Sequence, residues 1–322
     1  MTLSSNNKEI HDILIIGFGS QAKSWALNLR DSGREVTIGL RSNSQSHALV
    51  STLGFNSLNY DTQKLANYNF IVILTPDDTH KEILTSLNFK DEMFKQSFIY
   101  AHGHSVTYDR IGEALSQHQH LLLAPKAIAS ELRFAYETKS PLTAVVNCED
   151  SALLKLAKDL GISVGPVISS FEEETICDLF SEQSLLCSVI PHAAKLSFEI
   201  LIEHGHDPKI AYIECWHEVK LIADAMIKFG PSAFHGLISP NAFMGGEKAK
   251  SLIFDSNYRL KLKKLYDEIK SGQFADEILH TDFQKLLTQV ISDSDKHEIT
   301  KAYQSFGKKL LKANEEANNK KN

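Results

Sequence analysis

Two pairs of carboxylates are the residues most able to do chemistry. Asp178 and Glu182 sit four positions apart in Asp178-Leu179-Phe180-Ser181-Glu182, and Glu214-Cys215-Trp216-His217-Glu218 repeats the spacing. Positions i and i+4 share one face of a helix. Apolar residues flank both pairs: Ile176, Leu179, Phe180, Leu185 and Leu186 around the first, Ile210, Ile213, Trp216, Val219 and Leu221 around the second. Like charges at this spacing destabilise an isolated helix by about 0.2–0.5 kcal/mol. Beside apolar residues the cost rises unless a counter-ion is present. A ligand set made only of oxygens suits Mg²⁺ or Mn²⁺ rather than zinc. On spacing alone, two solvated acidic helix faces are the simpler reading of each pair, and the rest of the chain shifts the balance.

The first half supplies a nucleotide fold. Residues 12–17 (DILIIG) form a short apolar run of the kind buried in parallel sheets. Gly17-Phe18-Gly19-Ser20-Gln21-Ala22 follows, then a helical pattern through Trp25, Ala26, Leu27 and Leu29. This GxGxxA arrangement gives a tight turn, close approach of backbone to a pyrophosphate, and a helix N-terminus facing the anion. Gly17, Phe18, Gly19, Ser20 and Gln21 are therefore the expected cofactor-binding residues. The next strand, 35–40, ends in Leu40-Arg41-Ser42-Asn43-Ser44. A cation with hydroxyls and no carboxylate suits a 2′-phosphate, which points to NADP(H) held by Arg41, Ser42 and Ser44. Further strands are predicted at 69–75, 97–101, 120–124, 142–147 and 162–168, alternating with helical segments. The expected fold is an α/β Rossmann-type doubly wound parallel sheet. Ligands of such sheets bind beyond the carboxyl ends of the strands. His102 and Lys126, each just past a strand end, fall on that side.

From about residue 171 strand-like runs give way to helical periodicity, over roughly 173–204, 208–229, 247–271 and 295–314. The expected organisation is a nucleotide-binding domain at 1–170 and an all-α domain at 171–322. The acidic run Glu172-Glu173-Glu174 suits a helix N-terminal turn, and the polar stretch 313–322 reads as a fraying end. With 322 residues, 43% of them hydrophobic and 23% charged, the chain can bury sizeable cores. A net charge of −6 without a long basic run argues against nucleic acid as a partner. Cys148, Cys177, Cys187 and Cys215 form no CxxC pair and read as reduced, mostly buried thiols of a cytoplasmic protein. Residues 1–11 lack the apolar segment of a secretory signal. No apolar run approaches the ~18 residues of a membrane helix, so no membrane is expected as a partner.

These residues resemble the ketol-acid reductoisomerases, in the shorter class with a single helical C-terminal domain. The resemblance runs over roughly 12–312. Its marks are Gly17 to Gln21, Ala26 to Gly33, Val36 to Arg41, Leu74-Thr75-Pro76-Asp77, Ala124-Pro125-Lys126-Ala127, Asp178 to Gln183, Glu214 to Ile222, and Ser271-Gly272-Gln273-Phe274-Ala275. The resemblance implies an enzyme that shifts an alkyl group in a 2-acetyl-2-hydroxy acid and reduces the product with NADPH, on the route to valine and isoleucine. It implies two Mg²⁺ ions, with Asp178 bridging both and Glu182 holding one. Glu214 and Glu218 would come from the second subunit of a homodimer or larger homo-oligomer. Ser239 would contact the carboxylate of the small keto or hydroxy acid substrate. His102, Lys126 and Glu218 match residues beside substrate and metal.

Several segments depart from the family pattern. Ile128 to Arg133 replaces a Pro-Gly-His run, and Glu137-Thr138-Lys139-Ser140-Pro141 lies where a glycine-rich loop is usual. Ser181 replaces a glycine, His104 an aromatic residue, and Pro240-Asn241-Ala242-Phe243-Met244-Gly245 a more polar run. Two further readings therefore stand beside the first. One is a diverged NADPH- and Mg²⁺-dependent reductase of another keto acid; the other is a nucleotide-binding protein without catalysis.

Overall fold

The computed structural model describes residues 10–90, 94–109, 111 and 117–310, and the chain divides into two units, Met1–Cys177 and Asp178–Asn322. The division falls inside a helix, Phe171–Ser181. The polar ends read above as a non-signal start and a fraying terminus lie largely outside the described residues.

Unit 1 is built on an eight-stranded sheet: β1 (Ile10–Ile16), β2 (Val36–Leu40), β3 (Asn56–Asn59), β4 (Asn67–Ile73), β5 (Ser97–Tyr100), β6 (Gln119–Pro125), β7 (Ala144–Val146) and β8 (Val167–Ile168), in the order β3-β2-β1-β4-β5-β6-β7-β8. Neighbours run parallel, with Ile15 opposite Ile38 on one side and Val72 on the other. The exception is β6 with β7, which are antiparallel. Lys126 N donates to Thr143 O at 3.0 Å, so the excursion between these strands starts and ends at one edge and β7 must run back along β6. The expected strand at 162–168 shrinks to two residues. Gly165 takes a φ of +82° and Pro166 has no N–H to give a ladder. β3 (NSLN) was not expected, since it lacks apolar periodicity and forms through its pairing with β2.

Both faces of the sheet are covered, which explains why Ile13 to Ile16 are all buried despite alternating direction. On one face the helix Ser20–Asp31 inserts Trp25, Ala26 and Leu29 beside Leu132 and Leu156 of the helices Ala129–Thr138 and Ser151–Leu160. The fully buried Asn28 ties these helices together. Its amide donates to Leu160 O at 3.0 Å, and its Oδ1 accepts from Arg133 Nη1 at 2.9 Å. Arg133 also pairs with Asp31 at 2.7 Å. The segment 128–141, which departs from the family pattern, is thus mostly a helix that packs on the core through Leu132 and Ala135.

Unit 2 is helical. All four expected long helices are cut or shifted. The helix Val189–Glu203 follows a π turn at Glu182–Leu186, and Pro208–Tyr212 passes through a π turn at Ile213–His217 into Glu218–Phe234, which is broken at Gly230 (φ +76°) just past the expected end at 229. Pro240–Ile253 and Ser256–Ser271 replace the single span at 247–271, divided where Asp255 caps the second helix. Phe283–Lys296, Glu298–Ala302 and a third π turn, Tyr303–Gly307, follow. Periodicity cannot show these breaks, because a π turn inserts one residue without changing residue types.

Among the described residues, the buried cluster of unit 2 is small: Phe198, Ala211, Tyr212, Ile299 and Ala302. Long apolar side chains stay exposed, among them Leu196, Ile227 (84%), Leu252 (75%), Leu260 and Phe283. The cysteines correct one expectation. Cys177 and Cys187 are exposed, Cys148 and Cys215 only half-buried, and all four are free thiols. Phe171–Glu203 contains a stretch of mean hydropathy 1.6, long and apolar enough to cross a membrane by length and composition alone. No single uninterrupted run reveals it, because isolated polar residues divide the apolar ones.

Asn28→Ala should lower the stability of unit 1 by about 2–3 kcal/mol, the cost of leaving buried partners unsatisfied. Urea unfolding followed by the fluorescence of the buried Trp25 measures it, and an unchanged midpoint would remove Asn28 from this role.

Candidate active site

The first part of the site is a cleft of about 530 Å³ at the carboxyl ends of β1 and β2, lined by Gly17, Phe18, Gly19, Arg41, Ser44 and Tyr60 among others. Gly17 has a φ of +99°, and a Cβ there would lie 2.8 Å from Thr75 Cγ2 and 2.9 Å from Leu74 O. Only glycine fits this turn. Gly19 caps the helix Ser20–Asp31 without a side-chain hydrogen bond, and no acidic residue lies in the first turn. A Cβ on Gly19 would meet nothing within 4 Å, so its backbone is open to a ligand. The uncapped N–H groups and the helix dipole favour an anion here, which fits the pyrophosphate of a dinucleotide. Gln21 is half-buried, and its Oε1 has no partner within the described residues. Arg41 and Ser42 are exposed on the rim, with Arg41 Nε donating to Tyr60 Oη at 3.2 Å.

The second part is a polar knot at the ends of β4, β5 and β6. Lys126 Nζ lies 2.6 Å from Glu174 Oε1, and Glu174 is 1% exposed. Its other oxygen accepts from Gly103 N at 2.9 Å. A Cβ on Gly103 would fall 2.4 Å from Thr175 Oγ1 and 2.5 Å from Phe171 O, so the loop after β5 presses its backbone against the helix Phe171–Ser181. His102 Nδ1 is 3.6 Å from Asp77 Oδ2. His80 Nε2 donates to Thr75 O at 2.9 Å, and its Nδ1 pairs with Ser105 Oγ at 2.7 Å. Burial pushes the Asp77 carboxyl up, but its hydrogen bond with His102 and the charges of His102, His80 and His104 outweigh this and hold it below the ordinary carboxylate range. Asp77 therefore stays an anion that can orient the His102 imidazole.

The four carboxylates lie in unit 2. Asp178 is on the last turns of Phe171–Ser181, Glu182 opens one π turn, Glu214 lies in the next, and Glu218 begins the helix after it. A π turn re-aims side chains on either side of it and is common at functional sites. No three of the four come within metal-ligand reach of one another among the described residues. The nearby thiols respond to their charge: burial, then Glu182 and Asp178, pushes Cys187 up, and burial, then Glu214, does the same for Cys215. Ser239 is the N-cap of Pro240–Ile253, its Oγ accepting from Ala242 N at 3.2 Å.

Two family models cover nearly the whole chain. Residues 8–169 match the acetohydroxy acid isomeroreductase NADPH-binding domain, and residues 171–316 match the ketol-acid reductoisomerase C-terminal domain. The chain belongs to the ketol-acid reductoisomerase family. An NADH-preferring ketol-acid reductoisomerase from an uncultured archean superposes with a TM-score of 0.82 at 26% identity, over 92% of this chain and 94% of that one. The fold alone is shared with 1-pyrroline-5-carboxylate reductase from Streptococcus pyogenes, at a TM-score of 0.55 and 16% identity over 81% of this chain and 99% of that one. The same holds for a semialdehyde dehydrogenase NAD-binding protein from Cupriavidus necator, at 0.58 and 12% over 81% and 99%. Membership makes the chain an NAD(P)-dependent oxidoreductase with isomerase activity.

Within this reductoisomerase fold the departures find physical explanations. Ser181 returns its hydroxyl to Asp178 O at 2.9 Å, so it sits in the helix without displacing the acidic pair. Pro240 occupies the first position of the helix that Ser239 caps. His104 is buried and packs its ring 4.9 Å from Tyr108. Sequence reasoning missed Glu174 and Asp77 as site residues. Glu174 was grouped with Glu172 and Glu173 as dipole partners, although it alone continues the four-residue spacing back from Asp178 and Glu182.

Lys126→Met would strand Glu174 without its cation. It should cost about 2–4 kcal/mol, toward the low side for a buried pair because Lys126 is partly solvated. Lys126→Met combined with Glu174→Gln should recover more than half of that loss in thermal or urea unfolding. A double variant no more stable than the single one would contradict the coupling.

Proposed function

We propose that the protein converts 2-acetolactate or 2-aceto-2-hydroxybutyrate to the corresponding 2,3-dihydroxy acid, using NADPH and two Mg²⁺ ions in the cytoplasm. The observation that supports this most is the retention of Asp178, Glu182, Glu214 and Glu218, with a π turn at each pair, in a chain of this family. When bound, the divalent ions supply Lewis acidity at the hydroxyl and carbonyl oxygens, and the nicotinamide supplies the hydride.

The chain's own residues take the remaining tasks. Asp178 and Glu182 hold the ions from one subunit, and Glu214 and Glu218 from a second copy. Their combined charge of about −4 balances about +4 from the ions. A second copy is supported by the failure of one chain to gather three of these carboxylates and by the apolar faces left open on Val189–Glu203, Glu218–Phe234 and Pro240–Ile253. Lys126, aimed by Glu174, donates a hydrogen bond to a substrate oxygen as charge develops there. His102, oriented by Asp77, stands beside it on the cofactor side of the sheet. Gly17 to Gln21 bind the pyrophosphate, Arg41, Ser42 and Ser44 bind the adenosine 2′ end, and Ser239 receives the substrate carboxylate.

A second reading, reduction of a different keto acid without alkyl migration, is favoured by one observation. The first turns of Pro240–Ile253 expose Phe243 (39%) and Met244 (66%) in a segment where the family pattern is polar.

Initial rates of NADPH oxidation separate the two. Turnover of 2-acetolactate is expected, and it should vanish on chelation and return with Mg²⁺. Reduction of 3-hydroxy-3-methyl-2-oxobutanoate without any turnover of 2-acetolactate would contradict the first reading and support the second.

A further inference from the structure

The loop after β2 shows no carboxylate of its own, yet the fold brings one to it. Asp61 follows β3, whose pairing with β2 extends through Tyr60 N donating to Leu40 O at 3.1 Å. The Asp61 carboxylate thereby reaches Ser42. Ser42 N lies 3.0 Å from both Asp61 oxygens, and Ser42 Oγ donates to Oδ2 at 3.0 Å. Both hydrogen-bond donors of Ser42 are thus engaged by one side chain. Arg41, the adjacent cation, directs its Nε to Tyr60 Oη instead. These contacts stand beside the nucleotide cleft, which Arg41, Asn43, Ser44 and Tyr60 line. The backbone N–H of Ser42, above all, and then its hydroxyl hold Asp61 below its usual carboxylate range, so it is an anion at neutral pH.

A 2′-phosphate carries about −1.5 to −2 charges and seeks N–H and O–H donors. At this loop it would have to take the Ser42 donors from Asp61 and then sit beside the displaced anion. A ribose 2′-hydroxyl meets the opposite situation, because a carboxylate is the acceptor it needs. We infer that Asp61 is a specificity-determining residue of the dinucleotide site: it competes with a 2′-phosphate for Ser42, accepts a 2′-hydroxyl, and so keeps NADH usable beside NADPH. This inference rests on the cofactor reading given above and deepens it.

Asp61→Asn keeps an acceptor for Ser42 N and removes the charge; Asp61→Ser removes both the charge and most of the reach. Binding of NADPH and of NADH to the full chain is measured by fluorescence titration without substrate or metal. Both variants should raise the ratio of the NADH to the NADPH dissociation constant by about tenfold or more, chiefly through tighter NADPH. A ratio that stays within twofold of the unsubstituted protein in both variants, or shifts toward NADH, would overturn the inference while leaving the cofactor reading intact. Binding of neither dinucleotide to the unsubstituted protein would overturn both.

Discussion

A carboxylate that is almost fully enclosed must have a cation, and in unit 1 that requirement falls on Glu174 and Lys126. The pair joins segments far apart in the chain. Lys126 stands at the end of β6, Gly103 follows β5 and donates its N–H, and Glu174 lies on the helix Phe171–Ser181. Gly103 is held to glycine because any Cβ would strike that helix. The carboxyl ends of the central strands are therefore locked around one buried charge. His102 and Asp77 sit at the same end, so the polar groups converge where a doubly wound sheet receives its ligand.

Much of this was readable from residue types. The apolar runs of β1, β4 and β6, the Gly17–Gly19 turn and the change to helical periodicity near 171 each follow from local chemistry, and the structure has them. What was not readable depends on partners distant in sequence. β3 pairs because β2 is beside it, not because NSLN favours a strand. β7 reverses because Lys126 and Thr143 meet. Glu174 looks like Glu172 and Glu173 until the helix is set against Gly103, and Asp61 is silent until β3 is placed. The π turns left no mark in hydrophobic spacing, although they fall at the two acidic pairs that spacing had singled out.

Those pairs now have a more definite setting. They lie in a unit whose helices enclose few residues and leave large apolar faces open, in a chain of a known reductoisomerase family. Exposed apolar area on this scale marks an interaction surface. Under the function proposed above, a second copy covering those faces would also bring Glu214 and Glu218 to Asp178 and Glu182. The altered segments divide in the same physical way. Residues 128–141 serve the core of unit 1 through Leu132 and Ala135, whereas Phe243 and Met244 remain exposed.

The central claim is that the protein moves an alkyl group and does not merely reduce a ketone. Carbon NMR of the product formed from 2-acetolactate carrying ¹³C in the migrating methyl tests this directly. The claim requires the label in a methyl attached to C3 of the dihydroxy acid, beside an unlabelled methyl on the same carbon. A label still attached to C2, in a product reduced without rearrangement, would contradict it.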